Sequence, residues 1–232
     1  MPILRTPKAT VLFVHVPKAG GTSVEAYMRT KGPVSFHDSQ TAPGLPTTPQ
    51  HFHAELLDSL FAANFFDARF TVLRDPMERL ISEFRWRAKV PDPKYARFGL
   101  RDLTDKGKFL IRGRKLFLNF DQWVAYVFDR YPKDPFICGN HIRPQHEFLS
   151  GNETMFRLEN GLSPVFRWLD DVTDTAPSPD PERHKPATFP RPTVSAETER
   201  AVREFYADDY AMLARLATDP APGRTTQAPN GS

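Results

Sequence analysis

Two short stretches of this chain carry residue types that could hold phosphate or a similar anion. In Pro17-Lys18-Ala19-Gly20-Gly21-Thr22-Ser23 the glycines let backbone approach an anion, Lys18 supplies a point charge and two hydroxyls add donors. Lys18 precedes the glycines, so this is not a Walker A loop, and no apolar strand ending in Asp convincingly supplies a Walker B carboxylate. The alternative is a purely structural turn. Further on, Arg74 closes an apolar run and Ser82 stands eight positions later. A guanidinium and a hydroxyl meeting at one corner could clamp a second phosphate. Equally, Arg74 could pair with Asp75 or Glu78, and Ser82 could be a small packing residue.

These residues need elements to place them. Val11-Leu12-Phe13-Val14-His15-Val16 reads as a buried parallel strand, broken by Pro17 and Gly20-Gly21. Val24, Tyr27 and Met28 then fall at i, i+3 and i+4, which predicts a helix capped by Thr22 or Ser23. Strand, glycine turn and helix together aim free N–H groups and a helix dipole at a phosphate. Phe70-Thr71-Val72-Leu73 predicts a second strand. After it, Asp75-Pro76-Met77-Glu78 offers an N-cap, a proline at the first helical position and a Glu at the third, with Leu80, Ile81 and Phe84 on the buried face.

The prolines between 31 and 50 predict a long surface loop, followed by a helix over about 54–63. Further helices are expected near 117–130 and 161–170, with a C-terminal one over roughly 196–216 and a crossing loop at 173–193. The fold class expected is α/β, with a mainly parallel central sheet flanked by helices. Residues 1–9 read as an N-terminal extension, 10–217 as one domain and 218–232 as a disordered tail.

At 232 residues and 40% hydrophobic content the chain is long enough to bury a substantial core. Its single cysteine, Cys138, excludes an internal disulfide framework and suits a reducing compartment. Met1 to Thr10 has no secretory-type apolar run, and no stretch approaches the roughly 20 apolar residues of a membrane span. A cytoplasmic protein with no stable membrane insertion is expected. No pattern specifies an oligomeric state. From Arg85 to Lys115, eleven basic residues face three acids, a local excess of +8 that leaves −5 for the rest of a +3 chain. Such a segment suits local handling of an anion, or a solvated loop and helix face. It holds no base-reading module, so nucleic acid is not expected as a partner.

The run from Phe13 to Ser23 resembles the 5′-phosphosulfate loop of the family 2 sulfotransferases, which reads His, Ile or Val, Pro, Lys, Thr or Ala, Gly, Gly, Thr, Ser. The run from Val72 to Phe84 resembles their 3′-phosphate motif, Val-x-Arg, Asp or Asn, Pro-x-x-Arg-x-x-Ser. Asn140 to Gly151 is more weakly similar to the family's His-x-Arg-Pro-Gln stretch, and Glu204 to Tyr210 to its final helix. The family's Asn-Lys-Ser element is imperfect, with His184-Lys185-Pro186 in its place. The resemblance implies a P-loop-nucleotide-kinase-like sandwich and a donor, 3′-phosphoadenosine-5′-phosphosulfate (PAPS), that leaves as PAP. It implies that Lys18, Ala19, Gly20, Gly21, Thr22 and Ser23 hold the 5′-phosphosulfate, and that Arg74 and Ser82 hold the 3′-phosphate. The acceptor implied is a hydroxyl of a carbohydrate or glycoconjugate, sulfated by in-line displacement. A P-loop-type nucleotide kinase or NTPase, and a non-catalytic anion- or glycan-binding module on the same fold, are the alternatives.

That reaction needs a base on the acceptor hydroxyl and positive charge on the leaving oxygen, and Lys18 suits the second role. His51-Phe52-His53 lies between the two motifs, where family members carry a His, and an imidazole suits proton abstraction near neutrality. Gln50 to Leu56 resembles the family's His-x-Thr-Ala-x-x-Leu pattern with His51 first, which favours His51 over His53. Either could instead cap the helix near Ala54. His15 is expected in the core or behind the site, while His141 and Arg143 could contact the acceptor or hold a proline-containing turn. His51 and His53 could also serve a metal, yet no Cys or carboxylate cluster completes a set, so none is expected.

Overall fold

The computed structural model describes residues 1–41, 43–62, 64–88, 106–111, 114–181 and 189–218. Along them the elements run Ile3–Arg5 (β1), Thr10–Val14 (β2), Gly21–Arg29 (α1), Val34–Ser35 (β3), Ala54–Leu60 (α2), Ala68–Leu73 (β4), Pro76–Arg87 (α3), Gly107–Ile111 (β5), Arg114–Leu118 (β6), Phe120–Arg130 (α4), Thr154–Arg157 (β7), Ser163–Thr173 (α5), Ala196–Phe205 (α6) and Ala207–Thr218 (α7).

One sheet has the order β3-β1-β2-β4-β7. β2 and β4 are parallel, with Phe13 beside Phe70, and β4 and β7 are parallel, with Leu73 beside Arg157. β1 runs antiparallel to both β2 and β3, so it alone opposes the other four strands. The apolar run of β2 is continuous because both of its faces are covered. Alternation still sorts its side chains. Val11 and Phe13 enter a core shared with α1 and α5, through Val24, Tyr27, Phe166 and Leu169. Leu12 and Val14 enter the opposite core, with Leu57 of α2 and Met212 and Leu213 of α7. A third core gathers α3, α4, α6 and β5 around Phe84, Trp123, Val202 and Phe109. The result is a mixed α/β protein with a central, mostly parallel sheet flanked by helices. No helix among the described residues is long and apolar enough to cross a membrane.

Several elements differ from the sequence expectation. Residues 3–5 supply β1, which joins the sheet because Ile3 and Leu4 bury against β2. Part of the basic segment, for which a solvated loop and helix face was one of two readings, forms the hairpin β5–β6. The helix expected near 117 begins at Phe120, where Asn119 and Gln122 close a capping box. The single C-terminal helix is broken at Tyr206, whose buried hydroxyl donates to Ile142 O at 2.7 Å and draws the chain inward. The N-cap of α1 is Gly20 in the left-handed region, not Thr22 or Ser23. Residues 89–105 of the basic segment, His184-Lys185-Pro186 and the tail beyond Thr218 lie outside the described residues.

The contact of α1 with α5 includes a polar knot. Tyr27 Oη donates to Asp170 at 2.9 Å, and the buried Lys31 ammonium stands 2.6 Å from the same carboxylate. Removing that acid would leave the Lys31 cation without its counter-charge, held only by the Ala176 carbonyl and the Ser178 hydroxyl, and the Tyr27 hydroxyl without its acceptor. Asp170→Ala is therefore expected to cost about 3 kcal/mol in urea unfolding, and Tyr27→Phe only about 1 kcal/mol. Equal losses would mean that the charge on Asp170 contributes nothing.

Candidate active site

β2 delivers the chain to a tight turn at the carboxyl edge of the sheet, the edge where parallel α/β proteins bind ligands. Lys18 has φ 65° and Gly20 φ 89°, so two residues of the turn are left-handed. For Lys18 this costs about 1–2 kcal/mol. A Cβ on Gly20 would lie 2.9 Å from Leu158 Cδ1, and one on Gly21 only 1.8 Å from His15 Nε2. The His15 ring thus fills the space a side chain at Gly21 would need. Gly20 offers no side-chain cap to the first turn of α1, whose positive dipole end lies at this turn, and the Ser23 N–H donates to the Gly20 carbonyl at 3.2 Å. Ala19 is buried, Ser23 is partly buried and Thr22 is exposed.

The neighbouring strand end brings Arg74 to the same place. Its Nη1 donates to the Lys18 carbonyl at 3.1 Å, and its Nη2 lies 4.0 Å from Glu78. The Arg74 backbone is clamped at two points: its N–H donates to Gln145 Oε1 at 3.0 Å, and Gln145 Nε2 donates to its carbonyl at 2.8 Å. Gln145 is fixed in turn by Asp209 of α7, which accepts from its backbone N–H at 2.8 Å. The other arm of the corner is α3, capped as expected by Asp75, whose carboxylate accepts from Glu78 N at 3.0 Å. Ser82 is partly buried on this helix and shares a face with Glu78 and Trp86 at four-residue spacing. Glu78 lies by Arg74, and the Trp86 ring lies 4.8 Å beneath Lys18 Nζ, so Ser82 stands between the approaches to both cations. Burial lowers the pKa of Lys18, helped by Arg87 and Arg74 and opposed by Glu83.

Behind the turn three imidazoles form a row. His51 packs edge-on against His15 at 4.8 Å between centroids and against His141 at 4.7 Å. Each outer ring has a carboxylate. His15 Nδ1 stands 3.0 Å from Glu25 Oε1, at an angle outside hydrogen-bond geometry, and His141 Nδ1 bonds Glu83 Oε2 at 2.7 Å. Burial holds the His51 pKa well below the ordinary imidazole value, and His141 and His15 push it the same way. Burial alone would raise the Glu83 carboxyl, but His141, Arg87 and Lys18 outweigh it and hold it at about 2.

His53 lies apart from this row. It occupies the N-cap of α2 without a capping side-chain bond, and its ring sits 5.6 Å from Phe136. Arg143 is engaged structurally, donating from Nε to Asn140 Oδ1 at 2.6 Å and pairing with Glu147. Asn140 Nδ2 in turn donates to the His51 carbonyl at 2.8 Å. Sequence reasoning assigned no role to Glu83, Arg79 or Asp209. Arg79 is 1% exposed and donates to the carbonyls of His141 at 3.3 Å and Arg143 at 2.7 Å. Both Arg79 and Glu83 fall on the stripe of α3 that also carries Leu80 and Phe84, and charged residues at buried helical positions were the available signal. Among the described residues no group of three or more His, Cys, Asp or Glu is placed to hold a metal ion.

Fold and site together define an α/β protein with two cations, Lys18 and Arg74, at the carboxyl edge of its parallel strands. A family model described as the sulfotransferase family matches residues 1–163. The chain belongs to that family, in the family 2 branch whose two phosphate motifs it resembles. Searches of curated proteins and of solved structures returned no significant match.

The packing of His15 under Gly21 is open to direct test. Gly21→Ala must displace the ring or the turn, and is expected to lose about 2 kcal/mol in chemical denaturation. A denaturation midpoint unchanged from wild type would show that the ring does not fill this space.

Proposed function

We propose that the protein transfers a sulfuryl group from PAPS to a hydroxyl of an acceptor, a carbohydrate or glycoconjugate, on a P-loop-nucleotide-kinase-like sandwich. The observation that carries this reading is the 3.1 Å contact between Arg74 Nη1 and the Lys18 carbonyl. It joins the two motif corners, so a donor with phosphates at both ends of its ribose would meet one cation at each. The turn supports the fit, since Gly20 and Gly21 carry no side chain and the helix start above them is uncapped. Lys18, Gly20, Gly21, Thr22 and Ser23 would hold the 5′-phosphosulfate, with Ala19 packed behind them. Arg74 and Ser82 would hold the 3′-phosphate.

In the reaction the acceptor oxygen bonds to sulfur as the bond from sulfur to the bridging phosphate oxygen breaks. The acceptor proton passes to an imidazole, and charge growing on the phosphate oxygen is met by Lys18. We assign the base to His51, not His53, because its row adjoins Trp86 and hence Lys18. Trp86 is 55% exposed beside Lys18 and would suit stacking on a sugar ring. The lone Cys138 suits a reducing, cytoplasmic setting.

Ligand-dependent melting tests the donor. PAP at about 100-fold excess over Kd is expected to raise Tm by roughly 5–10 °C, and ADP with Mg²⁺ to do little. In Arg74→Ala, PAP binding should weaken about 10- to 100-fold, and adenosine 5′-phosphate binding, affected only through the lost bond to the Lys18 carbonyl, far less. Equal weakening of both ligands would remove the 3′-phosphate role of Arg74, and a preference for ADP would overturn the donor.

The base has its own signature. His51 acts when neutral, and its pKa lies well below the ordinary 6.5. kcat/KM should therefore stay level as pH falls past 6.5 and decline only at lower pH. His51→Ala should lower kcat by about 10²-fold or more, and His53→Ala far less. An acid limb centred above 6.5, or the reverse ranking of the two variants, would exclude His51.

A further inference from the structure

Glu83 is a fully buried acid on α3, directly beside the candidate site. A carboxylate without water costs several kcal/mol unless charges and donors surround it. Its two oxygens face different ways. Oε2 bonds His141 Nδ1 at 2.7 Å, and Oε1 pairs with Arg87 one helical turn on. Arg87 also donates to the Cys138 carbonyl, which ties α3 to the segment leading into His141. The ring of His141 stacks on Trp86 at 5.8 Å and receives the edge of His51 at 4.7 Å. The ammonium of Lys18 lies over the same Trp86 ring at 4.8 Å. One enclosed negative charge therefore bonds an end of the row of imidazoles, and through the His141–Trp86 stack it is linked to the cation of the phosphate turn, on which its charge acts.

We propose that Glu83 is the positioning residue that couples the two halves of the site, keeping Lys18 charged on the donor side and fixing His141, and through it His51, on the acceptor side. This rests on the sulfotransferase reading above. The charges facing Lys18 are Glu83 and Arg87 from α3 and Arg74 from the end of β4. Two of the three are cations, so Glu83 is the acid that opposes loss of the Lys18 proton. Toward the acceptor, a carboxylate on Nδ1 fixes the His141 ring plane, and Arg79 pins the His141 carbonyl at 3.3 Å. His51 is thereby held between two rings that cannot turn freely.

Glu83→Gln separates charge from shape, because its amide oxygen can still accept from His141. Two measurements on the full chain follow Lys18: the alkaline limb of kcat/KM, and NMR titration of ¹³C-methylated lysine, assigned by its loss in Lys18→Arg. In Glu83→Gln both are expected to move down by about one pH unit. kcat should fall on the order of 10-fold, with KM for PAPS changed by less than about 3-fold. His141→Gln should lower kcat by a similar factor and leave the Lys18 titration in place, which also tests the acceptor half should Glu83→Gln fail to fold. A folded Glu83→Gln with an unmoved Lys18 titration overturns the proposal, as does unchanged kcat in His141→Gln. If PAP fails to stabilise wild-type protein, the sulfotransferase reading falls, and the substrate-free titration still decides whether Glu83 holds the Lys18 charge.

Discussion

At the carboxyl edge of the sheet the Arg74 guanidinium rests on the Lys18 backbone, and the Lys18 ammonium is itself largely enclosed. The two like charges repel, and Arg74 helps to lower the Lys18 pKa. Such repulsion is useful to an anion site, since it is relieved when the anion arrives. It has to be tolerable beforehand, and α3 makes it so. Glu78 lies beside Arg74, Glu83 acts on Lys18, and the Trp86 ring lies under the Lys18 ammonium. All three belong to one helix, whose start is set by Asp75 and Pro76 immediately after Arg74. A helix beginning one residue later would rotate each of them by about 100°.

The turn itself is held by exclusion. Glycine is required at position 21 because the His15 ring lies where a Cβ would stand, and position 20 needs φ 89°. The same ring opens the imidazole row, so the turn that would face the donor and the row that would face the acceptor share a wall. Burial along that row is costly for charge, and it keeps His51 neutral.

Residues 140–146 contribute His141 and Gln145 yet contain little regular structure. Their backbone groups must be met by side chains from elsewhere. Arg79 takes the carbonyls of His141 and Arg143, Tyr206 that of Ile142, and Asp209 the N–H groups of Gln145 and His146. The break between α6 and α7 fits this duty. Tyr206 is drawn to Ile142 at the break, and Asp209 follows it in the first turn of α7.

Much of this was legible before folding. β2, β4 and the start of α3 are local statements: apolar runs, two glycines, and a capping Asp before a proline. Lys18 and Arg74 stand at the ends of strands that could be read directly, and their motifs named the family. β1, β7 and the β5–β6 hairpin were not read, because short strands become strands only through a partner that local pattern does not specify. His51 and His53 could not be told apart by spacing, since two positions along the chain say nothing of which ring meets His15 and His141. Glu83 passed unremarked for the same reason. An acid on a helix is ordinary until packing encloses it with a histidine, an arginine and a lysine from three parts of the chain. Sequence alone determined where the glycine turn of the proposed donor site lies, since glycine conformation and helix capping are local. Tertiary structure alone decided which titratable groups surround it, because burial and charge pairing arise only when distant segments meet.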